Sequence, residues 1–268
     1  MDIVVRDILS NPDAGDGQPR DPMRSAQANM RPQLAKRFYK TVETAERDGH
    51  FVVLLDGRPV KTPGKNPLSL DTFEAASLVA AEFDAQVETI DPSKMSCYRL
   101  ANTAIDGVAS DMQAVLEDVL RYCGTDMLFY RAEGPDALVE LQRQHWDPVV
   151  EWAEGLAGSR FNLAEGVMHV AQPRAAVAAI GVHLNTISEP IVMAALHSMM
   201  TLTGSALLAL AVWKGEIDAD TAWNAAHVDE DWNISQWGED AEAAARRRMR
   251  RAEMDAAVRL MKALETSD

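Results

Sequence analysis

Residues 51–61 read FVVLLDGRPVK, and this stretch predicts a β-hairpin. Its first half is a short apolar run containing two β-branched residues, which is typical of a strand. Asp56-Gly57 then supplies the pair that tolerates the positive φ angles of a two-residue hairpin turn. The return strand contains Pro59, which has no N–H to donate, so we expect that strand at an edge of the sheet.

A further strand and a helix are predicted directly after the hairpin. Leu68 and Leu70 indicate a short strand, and residues 71–74 (Asp-Thr-Phe-Glu) form an Asp version of the capping box, with Asp71 as the cap. Apolar residues then recur at i, i+3 and i+7, so that one helix face is apolar. They are Ala76, Val79 and Phe83.

From about residue 99 the pattern is mainly helical, with residues 127–130 (MLFY) as the one later run that suits a strand. Asp147-Pro148 predicts a helix that restarts after a break, with Asp as the cap. Beyond residue 174 the sequence consists of Ala-rich helical blocks, and the last helix is predicted from about Glu239 to Leu264. The fold class is therefore α+β: an N-terminal α+β domain with antiparallel strands and a C-terminal all-α helical domain.

The N-terminus shows no targeting signal. It begins MDIVVRDILS, whereas a secretory signal has a basic start and a mitochondrial presequence avoids acids. We therefore predict no transit peptide and expect a bacterial-type cytoplasmic protein. The predicted organisation is a flexible arm over 1–33 with a short helix at Ile3–Leu9, an α+β domain over 34–125 and a helical domain over 126–268.

The composition is that of a folded, acidic protein. Of 268 residues, 47% are hydrophobic and 25% are charged, and the formal net charge is −15 at pH 7. Such a surface repels nucleic acid and anionic lipid, so we expect no nucleic-acid partner and no membrane insertion. Cys97 and Cys123 are too few for a disulfide framework and fit a reducing compartment.

Signals for catalysis and cofactors are weak. Residues 57–65 read GRPVKTPGK, but the glycine spacing is wrong for a phosphate-binding loop, and two prolines lack the amide donors that would bind phosphate. No two of the six histidines have the i, i+4 spacing of a helical metal site. No G-x-S-x-G motif is present, and both cysteines are predicted to be small buried groups. We therefore predict no catalytic residue, no metal site and no cofactor.

Five arginines lie close together near the C-terminus, and acidic residues precede them on the same predicted helix. Glu242 lies four residues before Arg246, so we interpret this segment as a solvated, salt-bridged face. A basic patch for an acidic stretch of a partner is the alternative. The arginines are Arg246, Arg247, Arg248, Arg250 and Arg251.

The most unusual pattern lies in residues 218–240. As one helix, this segment would place five residues on one stripe: Trp223, His227, Glu230, Ile234 and Trp237. Glu230 would then lie among apolar neighbours, where a carboxylate needs a hydrogen bond or a proton. Three interpretations stay open: a structural His227–Glu230 pair, a protein-contact surface with two Trp anchors, and an acid–base pair of a small-molecule enzyme in an interdomain cleft.

Several short motifs follow one another along the chain. They are RFYK at 37–40, LDGRPVKTP at 55–63, EFDAQ at 82–86, IDP at 90–92 with Met95, LANTAID at 100–106, TD at 125–126, WDP at 146–148 and WG at 237–238. In this combination and order they resemble the Atp12 family, the assembly chaperones of the F1 sector of ATP synthase, over roughly residues 36 to 240. The resemblance implies an α+β domain followed by a helical domain.

The resemblance also implies binding rather than catalysis. A chaperone of this family would hold the free F1 α subunit until the β subunit replaces it. We expect a monomer, because shielding one client requires no symmetric partner. Phe83 departs from the Trp that the family usually has; Phe keeps a large apolar body but loses the indole N–H donor.

The resemblance also suggests site residues. Glu230, seven residues before Trp237-Gly238, stands where the family has a functionally important glutamate, and it is the first candidate for client binding. The other partner-binding candidates lie in the matched motifs. They are Trp237, Gly238, Glu82, Phe83, Asp84, Gln86, Asn102 and Asp106.

Overall fold

A computed structural model describes residues 34–265, so the predicted arm at 1–33 and its helix at Ile3–Leu9 lie outside the described residues. The chain packs as two compact units that divide between Met95 and Ser96. This division lies ahead of the 125/126 boundary given by the sequence, and that domain boundary stays a prediction.

The first unit contains a small antiparallel sheet. The hairpin predicted at 51–61 is confirmed, because Leu54 pairs with Pro59 across a turn in which Asp56 and Gly57 have φ angles of 48° and 76°. Pro59 lies on an edge strand, as expected. The strands are β1 (Val42–Arg47), β2 (His50–Leu55), β3 (Arg58–Pro59) and β4 (Ser69–Leu70), with β1 on one side of β2 and both β3 and β4 on the other.

One helix, α1 (Phe73–Asp84), packs on β1 and β2. The predicted apolar face is confirmed, since its residues Ala76, Val79 and Phe83 are buried. The predicted cap is wrong by one residue. Thr72 caps the helix, because its hydroxyl accepts the Ala75 N–H at 3.1 Å, while the Asp71 carboxylate lies 2.8 Å from His50.

The second unit is helical, and the α+β class with a helical C-terminal part is confirmed. A short parallel pair, β5 (Tyr130–Arg131) and β6 (Ala164–Glu165), accompanies the helices. Residues 127–129 form a 3-10 turn rather than the predicted strand, which begins only at Tyr130. The helices are α2 (Ser96–Asp106), α3 (Met112–Cys123), α4 (Asp136–Ala157), α5 (Arg174–Leu184), α6 (Pro190–Thr203), α7 (Ala206–Trp213), α8 (Ala219–Ala226), α9 (Val228–Trp237) and α10 (Ala241–Ala263).

The core of this unit forms around α7, whose residues 206–212 are all buried. A helix that is apolar on every side must be surrounded by other elements, and α7 packs against α3, α4, α6 and α8. Both cysteines are buried, as predicted, and burial raises the pKa of the Cys123 thiol. Among the described residues, none of the helices combines the length and the hydropathy of a membrane span.

The helix break predicted at Asp147-Pro148 is wrong, because both residues lie inside α4. Packing on either side outweighs the hydrogen bond that proline removes. Trp146 is buried and its indole N–H donates to the Ala225 carbonyl at 2.7 Å. The Asp147 carboxylate does not cap a helix but pairs with the Arg131 guanidinium at 2.8 Å.

The single helix expected over 218–240 is also wrong. The chain forms α8 and α9, with His227 between them at φ −115° and ψ 17°, outside the helical region. Because the stripe is interrupted, its members no longer share one buried face. The last helix, α10, agrees with its prediction to within two residues at each end.

Candidate functional site

An open groove with a volume of about 420 Å³ lies between α9 and the first turns of α10. Three of the sequence-predicted residues line it: Glu230, Trp237 and Gly238. The other lining residues come from the same two helices and the turn between them. They are Asn233, Ile234, Glu239, Asp240, Ala243, Ala244 and Arg247.

A tight connection between the two helices places the groove. Helix α9 ends at Gly238, whose φ of 85° lies in the region that favours glycine. Two residues later the Asp240 carboxylate accepts the Ala243 N–H at 2.8 Å and so caps α10. The end of one helix and the start of the next therefore share one edge of the groove.

Trp237 provides the largest apolar surface at the groove, because 87% of the residue is exposed. Ile234, one turn earlier, is half-buried. A large aromatic side chain left in water beside an open groove is typical of a protein-contact surface, where Trp is a frequent anchor.

Glu230 is not buried as the single-helix interpretation required. Its side chain is 41% exposed, and its Oε2 lies 3.9 Å from His227 Nε2. Because the helix breaks at His227, the carboxylate reaches solvent and can meet a partner.

His227 itself is held by the fold. Its Nδ1 lies 2.7 Å from the Trp223 carbonyl, to which it must donate, and its ring packs on the Trp223 indole at 4.0 Å between centroids. Burial lowers the pKa of His227, which favours the neutral imidazole. The 3.9 Å separation from Glu230 exceeds hydrogen-bonding distance, which favours a structural role for this histidine.

Two side-chain interactions attach α9 to its neighbours. The Gln142 amide donates to Asp229 at 2.7 Å, and Arg247 of α10 pairs with Asp231. The hydrogen bond that the Arg247 guanidinium donates to Asp231 raises the pKa of Arg247.

The salt-bridged face predicted for the arginine segment is confirmed. Arg246 pairs with Glu242 at 2.5 Å, and Arg251 pairs with Asp220 and with Asp255.

The first unit contains the EFDAQ candidates at the end of α1. Phe83 and Gln86 are buried, Glu82 is half-buried and Asp84 is exposed. Gln86 joins the helix end to the following loop, because its amide donates to the Glu82 carbonyl at 2.9 Å and accepts the Asp91 N–H at 2.8 Å. A role of these four residues in partner binding stays a prediction.

The RFYK motif explains part of this arrangement. The Tyr39 hydroxyl donates to the Phe83 carbonyl at 2.7 Å, and the Arg37 guanidinium donates to the Asp84 carbonyl at 2.9 Å. Two motifs that are distant in sequence therefore form one local network around the C-terminus of α1.

Asn102 and Asp106 lie one turn apart on α2 and are both half-buried. They do not line the groove of α9 and α10. The Asn102 Oδ1 is buried without a hydrogen-bond partner within the described chain. Their role in partner binding likewise stays a prediction.

The contribution of α10 to the groove was not predicted. Glu239, Asp240 and Ala243 line the groove although none was a candidate, and Arg247 was predicted only as part of a salt-bridged face or a basic patch. The signal was present, because Gly238 followed by Asp240 is a helix stop followed by a helix cap. Assigning residues 218–240 to one helix concealed it.

The comparisons with known proteins agree with this architecture. A crystal structure of a candidate chaperone, the Atu1473 protein from Agrobacterium tumefaciens, is 48% identical, covering 97% of this chain and 96% of that one with a TM-score of 0.84. The crystal structure of Atp12 from Paracoccus denitrificans is 39% identical, covering 86% of this chain and 98% of that one with a TM-score of 0.78. The mitochondrial protein atp12 of Schizosaccharomyces pombe is 23% identical over 222 residues, which are 77% of this chain and 75% of the relative.

These relationships define the class of protein: a chaperone built from an antiparallel α+β unit and a helical unit. The ATP12 chaperone protein family matches residues 36–154, and the full-length likeness to Atp12 of Paracoccus denitrificans extends beyond that range. The chain belongs to the ATP12 chaperone family, and membership implies a chaperone rather than an enzyme.

Proposed function

We propose that this chain assists assembly of the F1 sector of ATP synthase by binding the free α subunit until the β subunit replaces it. The observation that carries the proposal is the 39% identity to Atp12 of Paracoccus denitrificans over nearly that whole chain. The groove between α9 and α10 supports it, because an exposed Trp and a half-exposed carboxylate suit the recognition of another protein.

The mechanism requires no covalent step. An unassembled subunit exposes the apolar face that later packs on its neighbour, and such a face aggregates in water. A chaperone that covers this face lowers the free concentration of the aggregating species. Release then follows by mass action, since the β subunit competes for the same surface. A monomer is sufficient for this role.

The first prediction concerns Glu230. Glu230→Lys reverses the charge at the groove and should abolish binding of the α subunit, because it replaces the half-exposed carboxylate that the proposal assigns to client contact with a cation. Purified α subunit, diluted from denaturant with an equimolar amount of chaperone, should stay clear with the wild-type chain and scatter light with the variant.

The matched control is Glu43→Lys, an equal charge change at an exposed position of β1. It should protect the α subunit as well as the wild-type chain does. A fully protective Glu230→Lys protein would contradict the assignment of the site, whereas failure of the wild-type chain to protect would contradict the client.

A further inference from the structure

The lining of the groove is divided between apolar and acidic groups. Its less exposed members are apolar: Ala244 is buried, and Ile234 and Ala243 are half-buried. Trp237 extends this apolar surface towards solvent. A client side chain lying against Ile234 and Trp237 would therefore be removed from water, which favours an apolar residue.

The charged groups of the groove are unequal in number. Glu230, Glu239 and Asp240 provide three carboxylates, and Arg247 is the one guanidinium among the described lining residues. Arg247 of α10 is already paired with Asp231, a further carboxylate of α9. The groove thus keeps an excess of negative charge beside its apolar surface.

We propose that this groove binds a basic amphipathic segment of the client, with an apolar side chain against Ile234 and Trp237 and an arginine beside Glu230. The proposal rests on the proposed function only in assigning the segment to the client. An apolar or acidic segment would cover the carboxylates without pairing them, at a cost in free energy, whereas a cation compensates for their lost hydration.

Arginine suits this position better than lysine. A guanidinium can form two parallel hydrogen bonds with one carboxylate and can also stack on an indole, and Glu230 and Trp237 line the same groove. A lysine would supply the charge without the planar contact. The exchange of one cation for the other therefore tests the geometry as well as the sign.

The test uses three labelled synthetic helical peptides of equal length with the same leucine positions, whose polar positions are all arginine, all lysine or all glutamate. Binding to the full chain is followed by fluorescence anisotropy. We expect the arginine peptide to bind most tightly, the lysine peptide more weakly and the glutamate peptide not at all. Added salt should weaken binding of both cationic peptides.

Groove variants separate specific binding from general attraction to a chain of net charge −15. Glu230→Gln should weaken binding of the arginine peptide about three- to tenfold, and Trp237→Ala should weaken it more than tenfold. Glu43→Gln removes one charge outside the groove and should leave affinity unchanged. Circular dichroism checks that each variant is folded.

Two results would overturn the inference: equal binding of the glutamate and arginine peptides, or unchanged affinity in both Glu230→Gln and Trp237→Ala. Light scattering of the α subunit with the wild-type chain is measured in parallel. If the chain protects the α subunit but shows no selectivity among the peptides, the proposed basic ligand of the groove is wrong and the proposed function stands. If selectivity is present without protection, the proposed client is wrong.

Discussion

Asp126 is fully buried, caps the turn at residues 127–129 and also contacts the N-terminus of α7. Its carboxylate accepts the Leu128 N–H at 3.1 Å, and it also accepts the Ser205 hydroxyl and the Leu207 N–H, each at 2.9 Å. One side chain thus joins the turn at residues 127–129 to the N-terminus of the most buried helix. The sequence marked Thr125-Asp126 as a motif, but two of the three partners of Asp126 lie about 80 residues away along the chain.

Replacing this carboxylate should destabilise the second unit. In Asp126→Asn an amide NH₂ takes the place of one acceptor and faces groups that are themselves donors, so we expect a loss of about 2 kcal/mol in the free energy of unfolding. Urea unfolding at pH 8, where the Asp126 carboxylate is ionised, followed by circular dichroism measures this loss. Asp111→Asn is the control, because Asp111 is an exposed cap of α3 and Asn caps almost equally well. Equal stability of wild type and Asp126→Asn would contradict this role.

The same residue predicts a pH dependence. Burial raises the pKa of Asp126 from 3.8 to about 6, although its hydrogen bonds act in the opposite direction. The folded state therefore binds a proton more tightly than the unfolded state, and the stability associated with this proton is complete below pH 4 and lost as pH rises through 6. The loss corresponds to about 3 kcal/mol.

The measurement is the difference in unfolding free energy between wild type and Asp126→Asn from pH 4 to pH 8. The difference cancels the titration of groups that the two proteins share. It should shrink as pH rises, because only the wild-type chain loses the stabilising proton. A constant difference would show that the pKa of Asp126 is not raised.

At the scale of elements, structures that depend only on their own turn residues were predictable, and structures that depend on particular side-chain contacts were not. The hairpin at Asp56-Gly57 needs only its own turn residues, which the sequence displays. Pro148 is different, because α4 continues through it on account of buried neighbours and of the Trp146–Ala225 hydrogen bond. The break at His227 likewise depends on a ring that packs on Trp223 and bonds to its carbonyl.

The start of α1 gives a test of this distinction. Thr72→Ala removes the acceptor for the Ala75 N–H and should cost about 1 kcal/mol in unfolding free energy. Thr72→Ser keeps the hydroxyl and should retain most of that stability. Asp71→Ala removes only an exposed contact with His50 and should change stability little. A larger loss of unfolding free energy for Asp71→Ala than for Thr72→Ala would show that Asp71 caps the helix.

At the scale of the whole molecule, the sequence predicted the α+β and the helical class of structure, and three of its candidate residues line the groove. It did not predict the groove, because the packing of α9 against α10 depends on tertiary contacts such as the Arg247–Asp231 pair. Val228 is the one buried residue of α9, which is otherwise attached through Asp229 and Asp231. The helix that contains Glu230 and Trp237 therefore buries few of its side chains completely.

Hydrogen exchange should show this difference. The amides of α9 should exchange orders of magnitude faster than those of α7, because opening α9 exposes little apolar surface. Mass spectrometry of peptides covering residues 228–237 and 206–213 compares the two helices directly. Added α subunit should slow exchange in α9 and leave α7 unchanged. Equal protection of both helices in the free chain would contradict this prediction.

The limited burial of α9 has a thermodynamic consequence for release. A helix that moves in the free chaperone loses motional entropy when a client immobilises it, and this loss is subtracted from the free energy of the contacts formed. Under the proposed function, we expect recognition to remain selective while the dwell time stays short. A permanent neighbour with a rigid, preformed face would pay no such penalty and would displace the chain without any input of chemical energy.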